Sequence, residues 1–265
     1  MEICSIASGS SGNCIYVGSD NTHILIDAGI SGRRIEEGLN KIGTQVSELD
    51  GILITHEHSD HIASLGVLSR KYAIPMYATK GTFEGVLAGK CTGRIDTELF
   101  NEISADEEFV IEDLRVKPVR VSHDANEPVA YRIEHGESSV GVCTDLGTYD
   151  ESVVKGFAGV NALLIEANHD VNMLQVGKYP YYLKQRILGD RGHLSNENCG
   201  RLLCRLLHDN MKAIYLGHLS QENNLAELAY EAVRLEILMD ECKYKPNDFE
   251  IQVAKRNELS QMIAV

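Results

Sequence analysis

Short apolar segments recur along the whole chain and have the length and composition of β-strands. They are rich in Ile, Leu and Val, and polar residues or glycine bound many of them, which is typical of strands that end in turns. The pattern predicts strands at residues 3–7, 15–18, 24–26, 52–54, 116–121, 130–133, 140–143, 163–165 and 214–216.

Longer segments between these runs carry apolar residues at helical spacing. The predicted helices are residues 34–42, 62–72, 197–207 and 221–239. Strands follow one another early in the chain and alternate with helices later, which predicts an α/β (α+β) fold in which packed sheets are covered by helices. Because no Pro/Gly/Ser-rich linker or change of composition divides the chain, we expect residues 1–265 to form a single domain.

One heptapeptide occurs twice in similar form. Residues 192–198 read GHLSNEN and residues 217–223 read GHLSQEN, and each copy precedes a helical pattern. We therefore predict Ser195 and Ser220 as helix N-caps, which places His193 and His218 at the starts of helices. The alternative is two ordinary helix starts that share a short sequence.

Charge and cysteine content narrow the function classes. The chain has 25 Lys and Arg against 39 Asp and Glu, a formal net charge of −14, which argues against non-specific coating of nucleic acid but not against a locally positive site. No apolar run reaches membrane-spanning length, and the N-terminus lacks the basic flank of a signal peptide. Without CxxC pairs, the cysteines fit reduced thiols of a cytoplasmic protein with no membrane partner. They are Cys4, Cys14, Cys91, Cys143, Cys199, Cys204 and Cys242.

The densest chemical signal follows the predicted strand at 52–54. Residues 56–61 read HEHSDH, so His56, His58, Asp60 and His61 lie within six positions. Imidazole and carboxylate groups are the ligands that zinc and similar metals prefer, and a strand followed by a turn can direct them to two metals. The alternative is a histidine-rich surface turn.

This motif resembles that of the metallo-β-lactamase superfamily, which implies an αββα sandwich. The resemblance extends to Asp27, His123, Asp145 and His218, each at the end of a predicted strand. It implies two divalent metal ions (Zn, Mn or Fe), with Asp27 supporting the ligands from behind. The implied ligands are His56, His58 and His123 for one metal, Asp60, His61 and His218 for the other, and Asp145 as the bridge.

Further segments resemble the WalJ family, also called YycJ or VicX. They are residues 8–13 (SGSSGN), 144–147 (TDLG), 166–170 (EANHD) and the two Gly-His-Leu-Ser segments. The resemblance implies a metal-dependent 5′→3′ exonuclease associated with DNA repair, and it favours DNA over RNA as the identity of the substrate. It also implies Asp60, Asp145 and His193 as catalytic residues, Glu166 as a support for the ligands, and Asn13 as a substrate contact. A purely structural His193 is the alternative, and the role of His169 stays open.

Substrate contacts have to come from loops. Only 72 residues separate Asp145 from His218, which leaves no room for the large clamp domain that longer nucleases of this superfamily insert there. Residues 178–193 carry four basic residues against one acidic residue, with interleaved tyrosines that suit stacking on bases. We expect Lys184, Arg186 and Arg191 to contact the substrate, with Arg33 and Arg34 as weaker candidates. A solvated loop without this role is the alternative.

Two other functions remain open at this stage. A thioesterase or lactonase of the glyoxalase II kind would use the same metal ligands on a carbonyl group. A non-catalytic regulatory scaffold is disfavoured because every expected ligand is present. The sequence does not indicate an oligomeric state.

Overall fold

Two β-sheets pack face to face through the middle of the protein, and helices cover the outer face of each sheet. The computed structural model describes residues 1–239 and 243–265, so Cys242 lies outside the described residues. The strands are β1 (Glu2–Ala7), β2 (Cys14–Gly18), β3 (His23–Ile26), β4 (Gly51–Leu53), β5 (Met76–Thr79), β6 (Phe100–Ile103), β7 (Phe109–Ile111), β8 (Leu114–Arg120), β9 (Val129–His135), β10 (Ser138–Cys143), β11 (Ala162–Glu166), β12 (Ala213–Gly217), β13 (Glu250–Val253) and β14 (Ile263–Ala264).

The helices lie mostly between strands that pair in parallel, where a crossover is needed. They are α1 (Gly32–Lys41), α2 (Ser59–Ile62), α3 (Leu65–Tyr72), α4 (Lys80–Ala88), α5 (Glu151–Phe157), α6 (Val171–Val176), α7 (Tyr181–Leu188), α8 (Asn196–Leu206) and α9 (Ala226–Met239). Short 3₁₀ turns occupy Val46–Glu48, Thr97–Leu99 and Pro246–Asp248. Within the described part of the chain, no helix is both long and apolar enough to span a bilayer.

The two sheets have matching layouts. Within residues 1–239 and 243–265, the first sheet has the order β14-β1-β2-β3-β4-β5-β6 and the second has the order β13-β12-β11-β10-β9-β8-β7. In the first sheet the pairs from β3 to β6 are parallel, and in the second the pairs from β10 to β13 are parallel. The remaining pairs are antiparallel. Each sheet therefore has one run of strands whose carboxyl ends lie along the same edge.

Alternation along the strands builds three apolar layers. In β3, Ile24 and Ile26 point into the core between the sheets, whereas Leu25 points outward to the helices α1 and α3. Tyr131 and Tyr215 of the second sheet fill the same central core. A third cluster joins the outer face of the second sheet to α5, α8 and α9. This layering is the predicted αββα sandwich, and it is confirmed.

Most predicted elements are present, but several strands were missed. The nine predicted strands correspond to β1–β4 and β8–β12. The strands absent from the prediction are β5, β6, β7, β13 and β14, and β6, β7, β13 and β14 are the short or polar strands at or beside the sheet edges. Edge strands expose much of their surface and carry a weak apolar pattern.

Three predictions about helices need correction. The helix expected at 62–72 is two helices, because α2 ends at Ile62 and α3 begins at Leu65. Ser195 does cap α8 by accepting from Asn198 N, but Ser220 forms a local turn with Asn223 N, and α9 begins only at Ala226. The substrate segment at 178–191 was expected to be a loop, and its central part is the helix α7.

A candidate metal centre at the carboxyl ends of the strands

The predicted ligands meet where strands of both sheets end. His56, His58, Asp60 and His61 follow β4, and the other ligands follow β8, β10 and β12 as His123, Asp145 and His218. Because carboxyl ends of parallel strands share one edge of a sheet, side chains distant in sequence come together there. Three groups of these residues have ligand atoms within 4.8 Å of one another, and a fourth group joins Asp145 and His218 to Glu166 and His193.

Three residues just after strand ends have a backbone conformation that is unfavourable for residues other than glycine. Asp27, Asp145 and His218 have φ values of 63°, 60° and 53°, in the left-handed region. A non-glycine residue held there costs roughly 1–3 kcal/mol, and such strain clusters at functional sites. The fold therefore holds these three residues in a strained conformation that directs their side chains into the centre.

A close backbone approach holds the motif in place. A Cβ atom on Gly29 would lie 1.6 Å from the carbonyl oxygen of Asp60, so a side chain at this position would collide with the start of α2. The backbone N–H groups of Asn13 and Ala28 donate to the carbonyl oxygens of Asp60 and His61, each at 2.8 Å. The loops after β1 and β3 are thereby joined to the motif.

His56, His58 and His123 form one side of the centre. His123 Nε2 lies 3.3 Å from His58 Nδ1, and the His56 ring centroid is 4.5 Å and 4.9 Å from those of His58 and His123. His56 and His123 are almost fully buried, whereas the His58 side chain is 30% exposed. The Gly192 carbonyl lies 3.0 Å from His123 Nδ1, which leaves Nε2 directed at the other two rings.

Asp60, His61 and His218 form the other side. Asp60 Oδ2 lies 3.5 Å from both His61 Nε2 and His218 Nε2. Burial raises the pKa of Asp60, but the two imidazoles outweigh it and hold that pKa far below its usual range. Asn13, expected as a substrate contact, lies with its Nδ2 3.1 Å from His61 Nε2.

Asp145 lies between the two sides. Its Oδ2 is 3.2 Å from His61 Nε2, and its Oδ1 is 3.3 Å from His218 Nδ1 and 3.8 Å from His123 Nε2. Burial raises the pKa of this carboxyl, but His218 and His61 overcome that effect and lower it well below its usual value. A buried carboxylate between two histidine groups has the placement expected of a bridging ligand.

Buried polar atoms without hydrogen-bond partners indicate whether a cation would fit between these side chains. Among the described residues, His56 Nε2, Asp145 Oδ2 and His218 Nε2 are buried and make no hydrogen bond. Such atoms cost free energy unless something satisfies them. Nitrogen and oxygen donors that converge in this way are the ligands that divalent metal ions prefer, so this cluster can hold a metal ion.

Two carboxylates, Asp27 and Glu166, lie behind the histidines. Asp27 Oδ2 is 2.6 Å from His61 Nδ1 and also accepts from Thr55 Oγ1 at 2.8 Å. Glu166 Oε1 is 2.8 Å from His218 Nδ1, and its Oε2 accepts from the backbone N–H of Leu194 at 3.2 Å. A carboxylate in this position fixes the tautomer of a ligating imidazole and raises its basicity.

His193 shares the same carboxylate. Its Nδ1 lies 2.8 Å from Glu166 Oε1, and its ring centroid is 5.1 Å from that of His123 and 5.4 Å from that of His218. Its side chain keeps 19% exposure, and Nε2 makes no hydrogen bond among the described residues. Burial lowers the pKa of His193, but Glu166 and Asp145 outweigh it and raise that pKa above its usual value. His193 thus borders both sides of the centre and retains access to solvent.

His169 lies close by and has a different environment. It is 1% exposed, and neither ring nitrogen has a hydrogen-bond partner among the described residues. Burial lowers the pKa of His169 to about 4, so this ring is neutral near pH 7. The structure gives it no contact with the predicted ligands.

The expected substrate residues differ in their contacts. Lys184 Nζ donates to the Gln175 carbonyl at 2.7 Å, and Arg191 donates to the carbonyls of His123 at 3.1 Å and Ala125 at 3.3 Å. Arg186 forms an ion pair with Asp124. Arg191 therefore braces the loop that carries His123.

The sequence analysis missed Asp124. This carboxylate follows His123 directly, and its Oδ1 lies 3.4 Å from His123 Nε2. The signal that could have found Asp124 in the sequence is its position directly after His123, a predicted ligand at the end of a predicted strand.

Comparison with known proteins agrees with this geometry. Residues 22–218 match the family described as the beta-lactamase superfamily domain. Exodeoxyribonuclease WalJ of Streptococcus pneumoniae (serotype 2, strain D39) is 42% identical over 225 residues, 85% of this chain and 84% of the relative. Exodeoxyribonuclease YycJ of Bacillus anthracis is 40% identical over 228 residues, 86% of each protein.

Solved structures share the fold at low sequence identity. Zn²⁺-bound PqqB from Methylobacterium extorquens superposes with a TM-score of 0.72 at 16% identity and covers 100% of both chains. At this identity the likeness concerns the fold alone. Taken with the site geometry and the sequence relatives, these findings show that the chain belongs to the metallo-β-lactamase superfamily and, within it, to the YycJ/WalJ family.

Proposed function

We propose that this protein is a metal-dependent exodeoxyribonuclease that removes nucleotides from DNA in the 5′→3′ direction with two divalent ions, and that it serves DNA repair. The observation that carries the proposal is the convergence of the six other predicted ligands around Asp145, with His193 beside them. The names of the relatives, exodeoxyribonuclease WalJ and YycJ, support DNA as the substrate.

The two ions would be held on the two sides of the centre, with Asp145 between them. Ions bound there would supply a water molecule of lowered pKa and would neutralise charge that develops on the phosphate. Zn, Mn and Fe all suit imidazole and carboxylate ligands. Asp60 and Asp145 supply the negative charge that retains the ions and orients the nucleophile.

His193 is proposed to act on the leaving group. Glu166 holds its Nδ1, so Nε2 is the ring atom directed to the substrate. Glu166 and Asp145 raise the pKa of His193, which favours the protonated ring, and that proton can pass to the departing oxygen. Glu166 stabilises the protonated ring before the transfer.

The surface of α7 is proposed to guide the DNA strand. Tyr181 and Tyr182 are 76% and 74% exposed, and exposed aromatic rings stack on bases. Lys184 and Arg186 lie on the same helix and are proposed to contact phosphates. In a chain with a net charge of −14, such a local positive surface would confine the approach of a polyanion to one route.

We further propose that residues 1–265 work as one domain without an inserted clamp. The described segment between Asp145 and His218 forms α5, β11, α6, α7, α8 and β12, of which β11 and β12 belong to the second sheet and α5 and α8 pack on its outer face. A cytoplasmic location is proposed from the sequence, in which the cysteines are scattered, form no CxxC pair and fit reduced thiols.

The test begins with elemental analysis of purified protein, where about two metal ions per chain are expected. The loaded protein is then incubated with DNA and RNA, single-stranded and duplex, labelled at either end. Early release of mononucleotides from 5′-labelled DNA supports the proposal. Release of mononucleotides from the 3′ end alone would overturn the proposed 5′→3′ direction. Hydrolysis of a thioester or lactone, with no hydrolysis of DNA, would overturn the proposed substrate class. Full metal content without hydrolysis of any substrate would indicate a scaffold.

A further inference from the structure

A carboxylate outside the predicted ligand set reaches one side of the metal centre. Asp124 Oδ1 lies 3.4 Å from His123 Nε2, the ring atom next to His58 Nδ1, and 4.0 Å from the other ring nitrogen of His58, Nε2. Two ligands of one tetrahedral ion, each about 2.0–2.1 Å from it, lie about 3.3 Å apart. The distance between Asp124 Oδ1 and His123 Nε2 is therefore that of neighbouring ligands, as is the 3.3 Å between His123 Nε2 and His58 Nδ1.

The two oxygens of Asp124 have different surroundings. Oδ1 is buried and accepts no hydrogen bond from the described residues, although the side chain as a whole is 26% exposed. Oδ2 is paired with the guanidinium of Arg186. The ion pair at the surface thus turns the other oxygen inward toward the histidines. An unsatisfied buried acceptor costs roughly 1–3 kcal/mol, and a cation at this position would remove that cost.

We propose that Asp124 is an additional oxygen ligand of the ion held by His56, His58 and His123, and that Arg186 is the residue that positions it. The inference rests on the proposed function only through the existence of the metal centre. An anionic oxygen added to three imidazoles makes this side a harder ligand set, which favours Mn²⁺ or Fe²⁺ more than three imidazoles alone would.

The same contact links substrate binding to the metal. The Arg186 side chain is 52% exposed, so part of the guanidinium remains open to solvent while it holds Asp124. A phosphate that approached Arg186 would compete with Asp124 Oδ2 for the guanidinium. The ligand set on the His58 side would then respond to DNA, whereas the His218 side has no such connection among the described ion pairs.

The test measures metal affinity without DNA. The variant Asp124→Asn keeps the shape of the side chain and removes its charge, and the control Asp190→Asn removes the same charge from an exposed residue that pairs with none of the described histidines. Mn²⁺ and Zn²⁺ affinities are measured by competition with a chromogenic chelator. We expect Asp124→Asn to weaken one of the two ions by about 10–100-fold, more for Mn²⁺ than for Zn²⁺, and Asp190→Asn to change neither.

The visible spectrum of the Co²⁺-loaded protein gives a second readout. Loss of a ligand changes the coordination number and hence the d–d bands, whereas a distant charge does not. Unchanged spectra and affinities in Asp124→Asn, or equal losses in both variants, would overturn the assignment. Arg186→Gln should shift the same d–d bands part of the way, and Arg186→Lys should keep them at the wild-type position. Bands that stay at the wild-type position in Arg186→Gln would overturn the role of Arg186 in positioning Asp124. A protein that binds both ions but leaves DNA intact would refute the proposed function and leave this assignment standing.

Discussion

The two sides of the metal centre are supported by different groups. On the His61 and His218 side, carboxylates lie behind the rings, with Asp27 Oδ2 2.6 Å from His61 Nδ1 and Glu166 Oε1 2.8 Å from His218 Nδ1. On the other side, the partner of His123 Nδ1 is a neutral backbone carbonyl at 3.0 Å, and His58 is partly exposed.

This difference predicts that the two sides of the centre hold their ions with different affinity. A carboxylate behind an imidazole makes it a more basic and better oriented ligand, so the His218 side is built for retention of an ion. The His58 side is more open and lies next to Arg186 and α7, where the DNA is proposed to arrive. We therefore expect the His218 side to bind its ion more tightly and the His58 side to exchange faster.

The largest effect is expected from Asp145→Asn, because this residue serves both sides. Loss of the negative charge between two cations should remove several kcal/mol of transition-state stabilisation, about a thousandfold or more in rate. The variant should also lose most of the rise in Tm that Zn²⁺ gives the wild-type protein. Rate on end-labelled DNA and thermal melts with and without metal check both effects.

If Asp145→Asn keeps full metal content and near-normal turnover, the bridging role is wrong. Asp150→Asn is a suitable control, since Asp150 caps α5 and has no contact with the described histidines. It should change the melting temperature slightly and the nuclease rate not at all.

His193→Ala should separate catalysis from metal binding. Loss of a general acid typically lowers the rate by about 10²–10⁴-fold. Because His193 is not among the proposed ligands, elemental analysis should still find both ions. A fall in metal content would instead make His193 a ligand or a structural residue.

The two supporting carboxylates should give different phenotypes. Asp27→Asn and Glu166→Gln should each weaken an ion by about 10–100-fold. Excess metal should restore the rate of Asp27→Asn, since His61 is the only imidazole of the described centre that Asp27 contacts directly, and Asp27 reaches His56 only through Thr55. Excess metal should not restore Glu166→Gln, because Glu166 also holds His193.

Equal rescue of both variants by metal would contradict this division. Rates measured across a metal titration, with wild-type protein in parallel, decide between the two outcomes. A thermal melt of Glu166→Gln is needed as well, because Glu166 Oε2 accepts backbone N–H groups and the exchange costs some stability.

The smallest effect is expected at α7. Lys178→Ala with Lys184→Ala should weaken DNA binding and reduce the log-log slope of affinity against salt by about one for each phosphate that the protein no longer neutralises. Hydrolysis of a small phosphodiester should be unchanged. Lys155→Ala on the exposed surface of α5 is the control. Equal losses on both substrates would show that α7 supports the centre rather than the DNA.

The sequence predicted most of this centre because half of it is contiguous. Residues 56–61 place four ligands in six positions, and no fold is needed to read them. His123, Asp145 and His218 are single residues at strand ends, and they became predictions only through the resemblance to a family. Their approach to one another depends on parallel pairing of strands, which no local pattern encodes.

Other features lay beyond the sequence for physical reasons. Residues 178–191 contain Gly, Pro and interleaved Tyr and Lys, so a loop was expected, yet Tyr181–Leu188 forms a helix between Pro180 and Gly189 and buries none of its residues. Ser220 matches Ser195 in its local sequence, but only Ser195 caps a helix, since the chain after Ser220 first makes a turn through Asn223. Asp124 carries no motif at all, and its significance comes from how close its Oδ1 lies to the histidine rings.

The left-handed backbone at Asp27, Asp145 and His218 limits how these positions can change over evolutionary time. Glycine adopts this conformation without strain, and Asn and Asp tolerate it better than other side chains. A lineage released from selection for catalysis would gain stability by drifting to glycine at these three positions. Homologues that keep the fold but carry glycine there should therefore be inert and more stable, and the difference in melting temperature would measure how much stability the strained positions cost this protein.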